Sequence, residues 1–578
     1  MHSHKYSIKA KNMKNSFFYE ANILKILLAI ALFLLCASVF AQSPTWQWAK
    51  KIGGNYSEEG KGIATDANGN SVVAGYFSST SMVIGTNTLT NAGTNSEDVY
   101  LAKYDASGNV LWARSGGGSG FEEARAVSTD ASGNIFITGM YDSPSITFGS
   151  ITLTNSGSFG YDIFVVKYDP NGNVVWARSE GAASGAELGY SICTDAVGNI
   201  IVAGYFSGDT LTLGNINLIN SSPDQEAYVF KYDPNGNVLW ANSAGGTMDD
   251  YVHSVKTDAA GNVLITGFFA SDTLSLGNTK LVNDSAGAYD IYLAKYNSAG
   301  NLLWARSAGS RESDFAESIA TDASGNIFIT GYFVSDTITF GSNMLTIPSG
   351  TNSMFLAKYN ANGNALWATM PSQTNPSSGG MCVATDTWGN AFVTGFFYDS
   401  TITFGAFTLN NPDTIWGKMV IAKYDVNGNA LDAATAGFMY ETRGLGVATD
   451  ATGAAIITGF YNIASITFGS HTLNNSGMFD VFISKWSTTT GVTEQSGEET
   501  ILVYPNPSSG NLYIRTGNLI GENMQMELMN MLGEKVLSVT KATGQLFEID
   551  LGEFDSGTYF LTVRSSHEIK TQKIVLQR

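Results

Sequence analysis

Apolar positions along this chain recur in short bursts, at alternate or adjacent residues, and the bursts are cut by turns rich in Asp, Asn, Ser and Gly. One stretch reads AVSTD, then DASGN, then IFITGMY; further on, DIFVVKYD is followed by DPNGN and VVWARS. Period-two runs rich in Val, Ile, Phe and Tyr predict strands, and the turns between them predict two hairpins per unit. Asp at the first turn position can accept hydrogen bonds from the backbone two residues on. Gly at the fourth takes the left-handed conformation that closes the hairpin.

The units repeat. A Thr-Asp pair recurs with its Asp at 66, 130, 195, 258, 322, 386 and 450, and the Lys of a Lys-Tyr pair (Lys-Trp in the last copy) stands at 103, 167, 231, 295, 358, 423 and 485. Four strands in each of seven units, without helical periodicity, predict an all-β, seven-bladed β-propeller over 44–486, with about 64 residues per repeat. A Trp closes the second hairpin at 112, 176, 240, 304 and 367, gives way to Asp432 in the sixth copy, and is missing from the seventh. Trp48, in TWQWAKKIGG, lies one repeat before Trp112. An N-terminal strand is therefore expected to close the last blade and remove a free sheet edge. The segment SITFGSITLTNSG, which has counterparts in the other units, predicts an extra short hairpin between second and third strands.

DPNGN at 169–173 also has the look of a calcium loop, with acid and amide side chains at alternate positions. Such a loop needs a bidentate Glu at its twelfth position. Position twelve from Asp169 is Glu180, beyond a strand that holds Trp176, and KYDASGN and KYNSAGN make the same turn without the alternate Asn residues. The stretch reads as a turn; no metal site and no cofactor is expected, and calcium lacks support from these residues.

Fifty acidic against 31 basic residues give a formal net charge of −19. Nucleic acid and anionic membrane surfaces select for clustered Lys and Arg, so neither is an expected partner. An extracellular glycan or protein ligand stays open, and a monomer is expected. Lys5, Lys9, Lys11, Lys14 and Lys25 precede the apolar run ILLAIALFLLCASVFA, which ends in a small-residue pattern before Gln42. Residues 1–41 therefore read as a cleavable signal peptide, leaving no membrane-spanning segment in the mature chain. Of the remaining Cys residues, Cys193 and Cys382 sit in distant repeats and read as buried thiols.

Composition changes after Trp486. STTTGVTEQSGEET (487–500) reads as a linker, and short alternating strands over 501–578 predict a small C-terminal Ig-like β-sandwich.

Two resemblances go further. TDASGNIFITG with DIFVVKYDPNGNVVWA resembles the seven-bladed β-propeller repeat family of secreted bacterial proteins, specific for fold and silent on ligand. YPNPSSGNLYI, LMNMLGEKV, SGTYFLTV and the terminal KIVLQR resemble the type A C-terminal sorting domain of the type IX secretion system. That resemblance implies a Bacteroidota-like host, handling by the type IX machinery, and secretion or surface display by way of the periplasm. Its motif falls here on Pro505, Asn506, Pro507, Gly510, Gly533, Gly557, Tyr559 and Lys573.

Repeated residues are scaffold, so specific chemistry is sought where the copies differ. Five residues before the Thr-Asp aspartate stand Lys61, Arg125, Tyr190, His253, Glu317, Met381 and Leu445. Divergence at one rim position suits an asymmetric ligand, with Tyr190 stacking on a planar face and Lys61 and Arg125 meeting an acidic group. Three positions earlier, Glu58, Glu122, Glu187, Asp250 and Asp314 predict either an acidic rim ring or loop caps. Asp249, Asp250, Glu312, Asp314 and Glu317 beside His253 are the best catalytic cluster, but no nucleophile, phosphate-loop or zinc motif accompanies them, so no catalytic residue is assigned. The expectation is a non-enzymatic binding or interaction module. The alternatives are an extracellular polysaccharide hydrolase or lyase and a structural surface component.

Overall fold

The computed structural model describes residues 45–487 except 158–159, 221, 286 and 438–439. Beyond them it describes 502–504, 508, 510–515, 523–530, 534–542, 546–564 and 569–576. The expected signal peptide, linker residues 488–500, and Pro505, Asn506, Pro507 and Gly533 lie outside the described residues. Among the described residues no helix is long and apolar enough to cross a membrane. The chain divides between Thr488 and Thr489 into two compact units.

Among the described residues of the first unit, six antiparallel sheets have four long strands each, and a seventh has four that are extended to six by the short hairpin of the next sheet. The second sheet is typical: Glu122–Thr129, Ile135–Tyr141, Asp162–Tyr168 and Val174–Glu180 pair in chain order. Its second strand is buried at all seven positions, because both faces of a sheet inside a stack meet a neighbour. The apolar cores accordingly lie between sheets. One joins Val72, Val99 and Leu101 of the first sheet to Ile135, Ile137 and Phe164 of the second.

A ring of hydrogen bonds ties the sheets into a propeller. The Thr ending each first strand donates its hydroxyl to the backbone carbonyl of the equivalent Thr one sheet earlier: Thr129 to Thr65 (2.8 Å), Thr194 to Thr129 (2.9 Å), Thr257 to Thr194 (3.0 Å), Thr321 to Thr257 (3.2 Å), Thr385 to Thr321 (2.8 Å) and Thr449 to Thr385 (2.7 Å). Thr65 then donates to Thr449 at 2.7 Å and closes the cycle. In the seventh sheet Thr45–Ile52 pairs antiparallel with Asp480–Ser487, so the chain's N-terminal strand completes the sheet begun by Thr442–Thr449.

The two markers that recur separately in sequence meet in space. Lys231 lies 2.8 Å from Asp195, Lys295 2.8 Å from Asp258 and Lys485 2.7 Å from Asp450, and the same pair forms in the first, fifth and sixth sheets. The repeated Trp bridges sheets: Trp112 Nε1 donates to the Pro170 carbonyl at 3.1 Å, and Trp48, Trp176, Trp240, Trp304 and Trp367 reach the next sheet's turn in the same way. Those turns are built as the residues imply. Asp169 Oδ1 accepts from the backbone of Asn171 and Asn173 at 2.9 Å, Oδ2 accepts from Asn173 Nδ2 at 2.8 Å, and Gly172 has φ 78°.

Each sheet also carries the short hairpin between its second and third strands, as in Ser145–Phe148 with Ile151–Thr154. This hairpin covers the preceding sheet's outer strand, pairing Thr147 with Gly117 and Phe148 with Gly116. Similar bridges join Gly181 to Thr212, Gly245 to Ser275 and Ser372 to Thr403. Outer edges that would otherwise template association are thus partly paired.

The second unit has a three-stranded sheet (Leu502–Tyr504, Asn511–Arg515, Leu546–Asp550) and a four-stranded sheet (Lys535–Ala542, Asn523–Met529, Gly557–Arg564, Ile569–Leu576). They share a core of Leu512 and Ile549 from one and Met526, Leu528, Leu561 and Ile574 from the other. Of the sorting motif, Gly557 opens a strand, Tyr559 is buried and donates its hydroxyl to the Asp555 carbonyl at 2.8 Å, and Lys573 pairs in register with Phe560. The Gly510 backbone N–H donates to Ser508 Oγ at 3.2 Å.

Candidate functional site at the channel mouth

In every one of the seven sheets the first strand holds one residue without a partner in the second. Pairing steps from Gly60 to Gly62, Ala124 to Ala126, Gly189 to Ser191, Val252 to Ser254, Ala316 to Ser318, Gly380 to Cys382 and Gly444 to Gly446. The residues skipped are Lys61, Arg125, Tyr190, His253, Glu317, Met381 and Leu445. A bulge of this kind re-aims a side chain that regular pleating would place elsewhere. The opposing strand makes room with a repeated Gly: a Cβ on Gly267 would lie 1.9 Å from the Tyr251 carbonyl oxygen, and Gly75, Gly139, Gly204, Gly331, Gly395 and Gly459 are as tightly placed. All seven bulge residues are half-buried and line a central cavity of about 460 Å³.

The five polar bulge residues are already partnered. Lys61 pairs with Glu59 two residues back on its own strand, and Arg125 with Glu123 in the same way at 2.6 Å. Tyr190 has His253 stacked against it (centroids 4.0 Å apart, 22° between planes) and the Arg125 guanidinium at 5.5 Å from its centroid. His253 Nδ1 and Glu317 Oε2 are 2.8 Å apart. The expected roles are corrected accordingly. Tyr190 is engaged by His253 and Arg125 rather than offered as a free stacking face, and Lys61 and Arg125 are neutralised locally rather than free to meet a ligand's acid.

The acidic rim ring is also corrected. Glu58, Glu122, Glu187, Asp250 and Asp314 are each at most 1% exposed and face the interior of their own loops. Glu58 accepts from the Gly54 N–H at 2.8 Å and from the Ser79 hydroxyl; Glu122 accepts from the Gly118 N–H at 3.0 Å and from the Ser143 hydroxyl. Glu187 accepts from the Ala182 N–H at 3.2 Å, Asp250 from the Ser271 hydroxyl at 2.8 Å, and Asp314 from the Ser335 hydroxyl at 2.9 Å. Burial outweighs these bonds and pushes the Glu122, Glu187 and Asp250 carboxyls up to about 7 and that of Asp314 to about 6, with Glu58 raised as well. Buried carboxyls that accept hydrogen bonds from their own loops are caps rather than an exposed rim.

The catalytic cluster disperses for the same reason. Asp250 and Asp314 are buried, Glu317 holds His253, Asp249 accepts from the Gln225 N–H at 3.1 Å, and Glu312 is exposed. Of the two thiols, Cys193 is buried, its pKa pushed up to about 12 by desolvation, whereas Cys382 is half-buried on the cavity wall.

Sequence reading missed an aromatic arc that adjoins the cavity through His253. Tyr205, Tyr251, Phe268, Tyr289, Phe315 and Tyr332, from the third to fifth sheets, meet in edge-to-face, tilted or stacked contacts. Centroid distances are 5.0 Å for Tyr205–Tyr251, 5.2 Å for Tyr251–Phe268 and Phe268–Tyr289, 5.5 Å for Tyr289–Phe315 and 4.8 Å for Phe315–Tyr332. All but Phe268 are half-buried, and Phe268 packs on His253 at 4.5 Å. Tyr251 and Tyr289 have ring centroids 6.1 Å apart, and burial, together with the nearby Asp249 carboxylate, raises both phenols. The opposite side, in the first and second sheets, carries Glu59, Glu97 and Glu123 beside Lys61 and Arg125; burial, with Glu123 and Glu59 nearby, pushes the Glu97 carboxyl up to about 7. The missed signal was present two residues before each bulge, where Tyr251 and Phe315 replace Glu59 and Glu123.

Residues 502–577 match the family described as secretion system C-terminal sorting domain. The protein is exported by type IX secretion to the cell surface or the extracellular space. An uncharacterised WD repeat-containing protein of Acanthamoeba polyphaga mimivirus is 26% identical over 544 residues, covering 76% of this chain and 38% of the relative. The regulatory protein FlaEY of Caulobacter vibrioides is 27% identical over 244 residues, covering 39% of this chain and 25% of its own length. The chain thus spans well under half of either relative. Among solved structures, Sqt1 from Chaetomium thermophilum aligns with 77% of this chain and 99% of its own at 9% identity and a TM-score of 0.32, too distant to inform function.

Proposed function

We propose that the exported protein is a seven-bladed propeller of the secreted bacterial repeat family, carried by an Ig-like sorting sandwich, and that it binds a ligand at its channel mouth without transforming it. One observation carries this reading. A scaffold whose repeats agree at the Thr, Asp, Lys and Gly positions departs from symmetry at the bulge that aims a side chain into the channel, so the seven copies present seven different groups to one cavity. Dispersal of the carboxylates favours binding over glycoside hydrolysis, which needs two carboxyls flanking one bond. A signal peptide, a Bacteroidota-like host and a monomeric state accompany this reading.

The test is a glycan and protein array probed with the full chain and with a His253→Ala/Glu317→Ala variant. Removing both partners avoids leaving a half-buried ion unpaired. Binding by the parent, weakened at least tenfold in a variant that melts alike, supports the mouth as the site. Equal binding by both would move recognition elsewhere on the protein.

A further inference from the structure

We infer that the mouth takes a neutral saccharide chain, laid against the aromatic arc of Tyr251, Tyr289 and Phe315; this rests on the binding reading just given and names its ligand class. The first argument is charge. Each Lys and Arg of the upper ring is held by a carboxylate of its own strand or the residue before it, Lys61 by Glu59, Arg125 by Glu123 and Arg443 by Glu441 at 2.5 Å, and His253 Nδ1 lies 2.8 Å from Glu317 Oε2 of the adjacent sheet. Binding a phosphate, a sulfated polymer or an acidic peptide would require breaking such a pair and desolvating both members, whereas sites for these groups offer free Arg or Lys. Lys256 is exposed on the cavity wall three positions beyond His253, and it is the group an anionic ligand would have to use.

The second argument is shape and surface. A cavity of about 460 Å³ falls in the range of roughly 300–1,000 Å³ for small-ligand sites. A stable protein partner needs about 800 Å² of matched surface on each side. The cavity itself is lined by the bulge residues and the strand residues that follow them, and the aromatic arc adjoins it where Phe268 and Tyr251 meet His253, at 4.5 and 6.2 Å between ring centroids. Phe315 stacks on Tyr332 with 27° between planes, and its edge contacts with Phe268 (81°) leave the arc folded as a wall rather than a slot. Tyr251 and Tyr289 add hydroxyls to that wall, near the Asp249 carboxylate. Ring faces for the C–H surface of a pyranose, with phenols and a carboxylate for its hydroxyls, form the complement of an uncharged polyol.

Calorimetric titration of the full chain with maltoheptaose, cellohexaose, laminarihexaose and chitohexaose, against polygalacturonate and dextran sulfate, tests the inference. At least one neutral series should bind. Tyr289→Ala and Phe315→Ala, checked for unchanged melting, should weaken it about tenfold or more; Tyr289→Phe should weaken it less, and Lys256→Gln less than threefold. Preference for the anionic polymers, lost with Lys256→Gln, overturns the neutral class and leaves the binding reading standing. No heat with any saccharide overturns the saccharide inference outright, and the binding reading then rests on the protein arm of the array.

Discussion

Glu122 offers a case in which removing a charge should strengthen the fold, and only above a certain pH. It is fully buried, accepts from the Gly118 N–H and the Ser143 hydroxyl, and has its carboxyl raised from 4.5 to about 7, chiefly by burial. A group whose folded pKa is raised binds its proton more tightly in the native state than in the unfolded chain. Its contribution is fully present below about pH 4.5 and is lost as pH climbs through about 7. A rise of about 2.5 pKa units is on the order of 3 kcal/mol. In Glu122→Gln the amide oxygen can still accept from Gly118 and the amide nitrogen can donate to Ser143 Oγ. The variant should therefore match the parent near pH 4 and exceed it by up to about 3 kcal/mol at pH 8. With unfolding entropy of about 2.1 cal/mol/K per residue over roughly 440 residues, that is about 3 °C in Tm. Differential scanning calorimetry of both proteins at pH 4 and pH 8 reads it directly. Other raised carboxyls, such as Glu187, Asp250 and Asp290, lower the Tm of both proteins together as pH rises and cancel in the difference. A variant that melts below the parent by the same amount at both pH values would refute the reasoning, because it would mean that the cap works as an ionised acceptor.

Asp195→Ala strands Lys231, which is 2% exposed, and should cost about 3–5 kcal/mol in urea unfolding; Asp130→Ala, in the sheet where Lys167 turns to the Pro234 carbonyl at 3.0 Å, should cost less. Gly267→Ala drives a Cβ into the Tyr251 carbonyl and should destabilise by about 1–3 kcal/mol or more while weakening ligand binding, since it displaces the bulge that aims His253. Deleting 45–52 leaves Asp480–Ser487 as an open edge, and chromatography with light scattering should find either oligomers or a chain without a cooperative melt; an unchanged monomer would show that closure is dispensable.

The architecture was legible because its determinants are local and repeated. Turn residues, alternate apolar positions and a strand displaced to the other end of the chain each leave a trace that spacing reveals, and Trp48 one repeat ahead of Trp112 pointed to the closing strand now seen paired with Asp480–Ser487. The site was legible only as positions. Lys61, Arg125, Tyr190, His253 and Glu317 stand out as a divergent column, and the structure gathers them at one cavity, but a period-two pattern cannot show that each is an extra residue in its strand. The flanking residues are mostly small, such as Gly60 and Gly62 or Ala124 and Ala126, so neither neighbour marks the slip.

What the column of letters hid was pairing, because charge reads differently once its partner is known. Glu59 and Lys61 are two residues apart on a strand, the bulge at Lys61 leaves their side chains in contact, and their ion pair withdraws a cation that looked available. Glu58, their neighbour, faces the other way into its loop, buried and with its carboxyl raised by desolvation, rather than standing in a negative rim. Adjacent acids in one strand thus do opposite work, one balancing the channel and one capping a turn. With both accounted for, the two sides differ at one register: Tyr251 and Phe315 hold, on the first strands of their own sheets and before their own bulges, the positions that Glu59 and Glu123 hold on theirs, and they pack on neighbouring rings instead of pairing with an ion.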